Sequence, residues 1–290
     1  PYQPHRPASY LRKTFTAPAG ESKRLYITAK GLYAAWLNGK RVGDMVLAPG
    51  SFTADKHLGA QTYDVTALVR EGENKLLIAL GDGWYRSISG VDGDRDLFGS
   101  ELAVLFQLEV NGKAVCVSDD DMETTQCGPI RQNDLQQGEV YDARLEGELS
   151  GWHGVKTEPN TLPITGMNTV PIREQEAFAG RLLRTPNGET VLDFGQNVAG
   201  YVEMKLTAHA GQKIKLLCGE DKNAAQLEFV IGSNGGGLSH DLWRENLKLA
   251  CAVQETLYKD YPTLMRPVTV RNSRYNQHAT TGSLLVEVGT

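Results

Sequence analysis

Residues 23–47 read KRLYITAKGLYAAWLNGKRVGDMVL, and their pattern decides the fold. An apolar, aromatic-rich run is separated from a short polar one by Asn38-Gly39, a pair that readily supplies the two positive-φ positions of a tight hairpin turn. The stretch therefore predicts strands joined by a hairpin. Downstream, QTYDVTALVREGENKLLIALGDGWY (61–85) carries turns at Asp64-Val65-Thr66 and at Glu71-Gly72-Glu73-Asn74. It ends in KLLIAL (75–80), a continuous apolar run that suits a central strand covered on both faces. ELAVLFQLEVNGKAVCVSD (101–119) repeats the logic around Asn111-Gly112. Upstream, YLRKTFTA (10–17) leads into a Pro-Ala-Gly-Glu turn. Hairpins about ten residues apart indicate an all-β sandwich or barrel.

Residues 154–172, GVKTEPNTLPITGMNTVPI, hold three prolines and no long apolar run. They mark a boundary: a first β-sandwich over 1–153, a linker or packing segment over 154–187, and a second β-sandwich module over 188–290. In the last of these, YVEMKLT (201–207) alternates with period 2, as a half-buried strand does, and RPVTVRNSRYNQH and SLLVEVGT close the chain. The expected architecture is all-β, two jelly-roll-like sandwiches, with one short helix in the second. That helix falls in LSHDLWRENLKLACAV (238–253), where Leu242, Trp243, Leu247, Ala250 and Cys251 recur at helical spacing and Ser239 is a plausible N-cap.

Composition narrows the function. With 40% hydrophobic and 22% charged residues the chain is ordinary for a globular protein, and its net charge of -5 offers no basic footprint for nucleic acid. No apolar run approaches the roughly 18 residues of a membrane helix, and PYQPHRPASY at the start shows no signal-peptide pattern. The cysteines, Cys116, Cys127, Cys218 and Cys251, lack the C-x-x-C spacing of a zinc or redox site and read as free thiols, though Cys116 and Cys127 lie close enough in sequence to meet across a hairpin. Six scattered histidines form no H-E-x-x-H, and none accompanies a G-x-S-x-G elbow. No catalytic residue is therefore assigned, and a pair of glycosidase carboxylates, set by fold alone, leaves no local signature.

Three stretches carry chemistry worth weighing. Asn133-Asp134-Leu-Gln-Gln137-Gly-Glu139 is the densest polar cluster. Its oxygens suit sugar hydroxyls or calcium; the same residues also make ordinary surface turns. Gly81-Asp82-Gly83-Trp84-Tyr85-Arg86 places two aromatics at a loop mouth, where a ring face can stack on a sugar or a Trp can plug the core end. Its glycines do not open a dinucleotide site, because no helix pattern follows. Asp92, Asp94 and Asp96, like Asp119-Asp120-Asp121, read as solvated loops, since neither an EF-hand's flanking helices nor its final glutamate is present.

The order of the segments is more telling than any one of them. YLRKTFTA, RLYITAKGLYAAWLNGKRVGD, QTYDVTALVREGENKLLIALGDGWYR, GPIRQNDLQQGEVYDAR and ETVLDFGQNVAGYV together resemble the N-terminal, non-catalytic β-sandwich modules of bacterial α-L-rhamnosidases. The resemblance runs from about residue 8 to about residue 220 and decays after Gly219-Glu220. It implies two β-sandwich modules that precede an (α/α)₆ catalytic barrel, whose acidic Cys-Pro-Gln-Arg-Asp-Glu-Arg type stretch is not in these residues. It leaves three readings: a carbohydrate-binding segment that meets a rhamnose-containing glycan, a structural module that supports the barrel, or a fragment of an inverting rhamnosidase. It also implies rhamnose and calcium binding near Asn133 and Asp134 as sugar or metal ligands, with Gln137, Glu139 and Trp84 beside them. The chain departs from the family at Gly50-Ser51-Phe52-Thr53-Ala54-Asp55, where relatives carry a Gly-Trp-Thr-Asp-Tyr type turn.

Overall fold

The computed structural model describes residues 6–289 apart from 89–93, 168–169, 187, 189, 197–198, 210, 217–225, 236, 238, 261–264, 267, 273–276 and 278–283. Gly90, Asp92 and Cys218 thus lie outside the described residues. The chain divides into two compact units, Pro1–Leu206 and Thr207–Thr290. Residues 188–206, read from sequence as the opening of the second module, fall within the first unit.

The first unit begins with Ser9–Ala17 (β1), Lys23–Lys30 (β2), Leu32–Leu37 (β3), Lys40–Arg41 (β4), Leu58–Asp64 (β5) and Gly72–Gly81 (β6). A single helical turn, Gly83–Arg86 (α1), precedes Ala103–Val110 (β7), Lys113–Val117 (β8) and Glu123–Thr125 (β9). Ile130–Asp134 (β10) and Gly138–Tyr141 (β11) form a separate hairpin. Short strands His153–Gly154 (β12) and Ile164–Gly166 (β13) extend the two main sheets. Arg181–Arg184 (β14) and Thr190–Asp193 (β15) make a further two-stranded hairpin.

The main sheets run β12-β9-β1-β6-β3-β4 and β13-β5-β2-β7-β8. Between them lies the core, built from inward residues such as Phe15, Leu25, Ile27, Leu37, Leu76, Ile78, Phe106 and Leu108. Each fully buried aliphatic side chain contributes roughly 1.5–3 kcal/mol of transfer free energy. KLLIAL is interior to its sheet, paired with β1 on one side and β3 on the other, but it is not covered equally on both faces: Leu76, Ile78 and Leu80 are buried, Leu77 and Ala79 are half-buried and Lys75 is exposed. Both Asn-Gly pairs turn as predicted, with Asn38 at φ 52 and Asn111 at φ 49. Cys116 and Cys127 are both free, the first buried and the second exposed.

One polar group is sealed into this unit. Asn74 has no exposed surface. Its Oδ1 accepts from the Arg70 amide (2.9 Å) and from Asn38 Nδ2 (2.8 Å), and its Nδ2 donates to the carbonyls of Arg70 and Gly72, both at 2.8 Å. Asn38 completes the link by donating to the Leu68 carbonyl and accepting from the Lys75 amide. The β3–β4 turn and the 68–75 loop are thereby tied together.

The second unit is built differently. Gln226–Gly232 (β16) lies between Thr269–Arg271 (β17), which runs parallel to it, and Leu285–Gly289 (β18), which runs antiparallel. Parallel neighbours need a crossover, and the 18-residue helix Trp243–Asp260 (α2) supplies it. Trp243, Leu247, Ala250, Val253 and Leu257 form its apolar stripe, packed with Phe229, Ile231 and Met265. The expected helix is therefore present and starts at Trp243, four residues after Ser239, whose hydroxyl donates to Asp241 Oδ1 at 3.2 Å. Residues 201–209 form no strand. Alternation in YVEMKLT gives one apolar face, but a strand also needs a neighbour for its N–H and C=O groups.

Asn74→Ala is expected to lower unfolding free energy by about 3 kcal/mol, the cost of leaving several part-buried backbone groups unpaired. Urea unfolding followed by tryptophan fluorescence measures this, and a loss below about 1 kcal/mol would contradict the role given to Asn74.

Candidate functional site

The two strongest sequence candidates, 81–86 and 133–139, lie far apart along the chain and meet in the fold. Strand β6 delivers Gly81 and Asp82 to the end of the sandwich, where α1 turns the chain sharply. Gly83 has φ +55, and a Cβ there would lie 2.5 Å from Leu32 Cγ, so only glycine makes the turn without displacement. Asn133 in β10 reaches across: its Oδ1 accepts from the Asp82 amide at 2.5 Å, and its Nδ2 donates to the Arg6 carbonyl at 3.3 Å.

Three arginines and three aspartates surround this crossing. Arg86 Nε donates to Asp82 Oδ1 at 2.6 Å, and its Nη1 to the Ser100 carbonyl at 3.0 Å. Arg6 grips Asp96 with two hydrogen bonds of 2.5 and 2.9 Å. Arg95 Nη2 lies 3.1 Å from Asp134 Oδ2 and donates to Gln137 Oε1 at 2.7 Å. Burial raises the Asp82 carboxyl above its usual range despite the opposing pull of Arg86, whereas the hydrogen bonds from Arg6 hold Asp96 below it. Asp96, read from sequence as part of a solvated loop, is thus an ion-pair partner ninety positions away from its arginine.

Asp134 is 4% exposed. Its Oδ1 accepts from the amides of Gln136 and Gln137 at 2.8 and 2.9 Å, which shapes the β10–β11 turn, and its Oδ2 accepts from the Ile88 amide at 3.1 Å as well as from Arg95. The oxygens of Asn133 and Asp134 already have donors facing them. A calcium ion asks for six to eight oxygen ligands, and among the described residues no three His, Cys, Asp or Glu side chains cluster to hold a metal. This donor set does not fit calcium: the positive charge beside Asp134 is the Arg95 guanidinium.

The remaining predicted residues are accessible. Gln137 and Glu139 are exposed on the hairpin, and Glu139 lies across the ladder from Asn133. Trp84 is half-buried on α1 and lines a shallow hollow of about 10 Å³, room for about one water, with Phe52, Ala54, Tyr85 and Phe98. Tyr85 and Phe98 stack with ring centroids 6.4 Å apart. No residue of the 133–139 hairpin lines this hollow; the hairpin reaches the same end of the unit through the Asn133–Asp82 and Asp134–Ile88 bonds. Sequence reading found Trp84 and the 133–139 loop but not the arginines, because Arg6 and Arg95 acquire meaning only through partners distant in sequence. The one local signal was Asp82 four residues before Arg86, the spacing of an ion pair on a helical turn.

Comparison with known proteins agrees with this picture of the first unit. Residues 19–184 match the α-L-rhamnosidase N-terminal domain model, residues 183–228 the bacterial α-L-rhamnosidase concanavalin-like domain, and residues 219–290 the stage II sporulation protein P model. An α-L-rhamnosidase of Streptomyces avermitilis is 37% identical over 225 residues, covering 72% of this chain and 22% of the relative. Its crystal structure in complex with L-rhamnose superposes with a TM-score of 0.60, covering 67% of this chain and 20% of that one. Native α-L-rhamnosidase from Aspergillus terreus superposes with a TM-score of 0.63 at 34% identity, covering 68% of this chain and 25% of that one. The chain spans about a quarter of the length of the curated relatives it matches.

Two outcomes follow from the ionic network. Asp134→Ala strands Arg95 and three amides, so it should cost about 3 kcal/mol in urea unfolding; a change under about 1 kcal/mol would show that the carboxylate is not structural. Asp96 has a folded-state pKa below its unfolded value near 3.9. Its contribution is present above that value and is lost as pH falls through the folded pKa. Asp96→Asn should therefore flatten the decline of the urea midpoint below about pH 4. An unchanged acid limb would remove the Arg6–Asp96 pair from the account.

Proposed function

Because the chain belongs to the α-L-rhamnosidase N-terminal domain family, we propose that it is a carbohydrate-binding segment of an α-L-rhamnosidase-type glycoside hydrolase, meeting terminal L-rhamnose at the loop end of its first unit. The observation that supports this reading is the Asn133–Asp82 bond, which joins the 133–139 hairpin to the turn that carries Trp84. Trp84 offers a ring face to the apolar side of a sugar. Gln137 and Glu139 offer an amide and a carboxylate to its hydroxyls. Asn133 and Asp134 act one step back, holding the turn and the hairpin in place, and the binding needs no calcium. A relative at 37% identity is known in complex with L-rhamnose, which makes that sugar the probe of choice.

A second reading has its own support. The polar atoms of Asn133 and Asp134 are used internally, as in a module whose task is to support a catalytic barrel. Calorimetric titration with L-rhamnose, in calcium and again in chelator, separates the two. Carbohydrate binding predicts equal affinity in both buffers and loss of about tenfold or more in Trp84→Ala, one stacking contact and its buried area. Absence of heat in both buffers favours the supporting role, and affinity that collapses in chelator would overturn the calcium-free geometry.

A further inference from the structure

A second cleft in the first unit lies away from the Trp84 end and is lined by none of the candidate site residues considered so far. It has a volume of about 340 Å³, at the edge of the six-stranded sheet where the chain leaves β4. One wall is Arg41, Asp44, Met45 and Val46; the other is Arg173 and Glu174. The walls are joined by backbone, since Met45 bridges Arg173 in antiparallel fashion and the Val46 amide donates to the Ile172 carbonyl at 2.9 Å. Gly43 at the base has φ +67, and a Cβ there would lie 2.3 Å from the Tyr63 ring, so the backbone lies directly on that ring.

The side chains leave donors and acceptors in reach of a ligand. The Arg41 guanidinium lies 5.2 Å from the centre of the Trp36 ring and spends one N–H on the Met45 carbonyl at 3.3 Å, out of five such donors. Arg173 Nε pairs with Asp44 Oδ2 at 2.7 Å, although both side chains are exposed, 46% and 71%. Glu174 accepts from the Tyr201 hydroxyl. An exposed ion pair contributes roughly 0–1 kcal/mol, so stability alone gives little reason for four charged groups around an open cleft. Two guanidiniums and two carboxylates balance. An anion would meet Asp44 and Glu174, and a cation would meet Arg41 and Arg173. A neutral molecule carrying several hydroxyls could accept from the guanidiniums and donate to the carboxylates at once. The volume is within the range of small-molecule sites.

We propose that this cleft is a second binding site, for a neutral polyhydroxylated ring of monosaccharide size. It is independent of the Trp84 end, and neither reading requires the other.

The test is an amide-resolved NMR titration of the full chain with L-rhamnose as probe and D-glucuronate as the anionic comparison. Saturable shifts at the amides of Gly43, Met45, Val46 and Arg173 are expected with L-rhamnose and weaker ones with D-glucuronate. Asp44→Asn and Arg173→Ala should each weaken the response about tenfold, the loss of a charge-assisted hydrogen bond, with the rest of the spectrum unchanged. Silence at these four amides in the native chain would overturn the proposal, whatever the variants do. Stronger binding of D-glucuronate would overturn the neutral-ligand assignment. Shifts around Trp84 and 135–139 are read separately, so failure of either site is distinguishable from failure of the other.

Discussion

A polar group buried at the end of a β-sandwich must find all its partners inside the protein, and this requirement organises the first unit. Asn74 meets it completely, with two acceptor and two donor bonds and no surface left for water. Through Asn38 it ties the tightest turn of the six-stranded sheet to the loop that precedes the sheet's interior strand. The core residues Leu37 and Leu76, each cross-strand from the other, are then held in register. Apolar burial supplies the larger free energy, but it is non-directional. The asparagine pair is what gives the packing one register.

The same constraint acts at the opposite ends of these strands, where the candidate site lies. Desolvating an aspartate costs several kcal/mol unless donors surround it, and Asp82 and Asp134 are surrounded by amides and guanidiniums. That arrangement explains why Asn133 and Asp134, the richest oxygen pair in the sequence, are poor ligands in the fold. Their oxygens hold α1 and the β10–β11 turn in position. What they position, Trp84 and the outward Gln137 and Glu139, keeps surface open to solvent. The division between holding and open groups follows from burial alone.

Much of the first unit was legible because its signals are local. Asn38-Gly39, Asn111-Gly112 and the KLLIAL run each state their structure within a few residues. The ion pairs were not legible, since Arg6 and Asp96 are ninety positions apart and nothing in either neighbourhood names the other. YVEMKLT misled because period 2 reports a face and not a partner. Helix α2 itself was legible because Trp243, Leu247 and Ala250 recur at helical spacing and pack on Phe229 and Ile231. The 41–46 and 173–174 walls of the second cleft had no sequence signature, being joined only by a backbone bridge.

The end of the family resemblance near Gly219-Glu220 has a structural counterpart. A second family model begins at 219, and beyond it the described residues follow a different plan: two parallel strands with a helix crossing between them. Such a unit buries one face of its sheet under its own helix. Part of its polar interior is bonded within the unit. Gln277 accepts from the Gly232 amide, donates to the Val230 carbonyl, and receives Asn246 Nδ2 at its own carbonyl, while Asn246 has no exposed surface. Strand β16, helix α2 and Gln277 are joined by these bonds. The satisfaction is incomplete, since among the described residues Asn246 Oδ1, Trp243 Nε1 and Gln254 Oε1 are buried without a hydrogen-bond partner, so the buried asparagine that is fully bonded in the first unit has a counterpart in the second that is only half bonded.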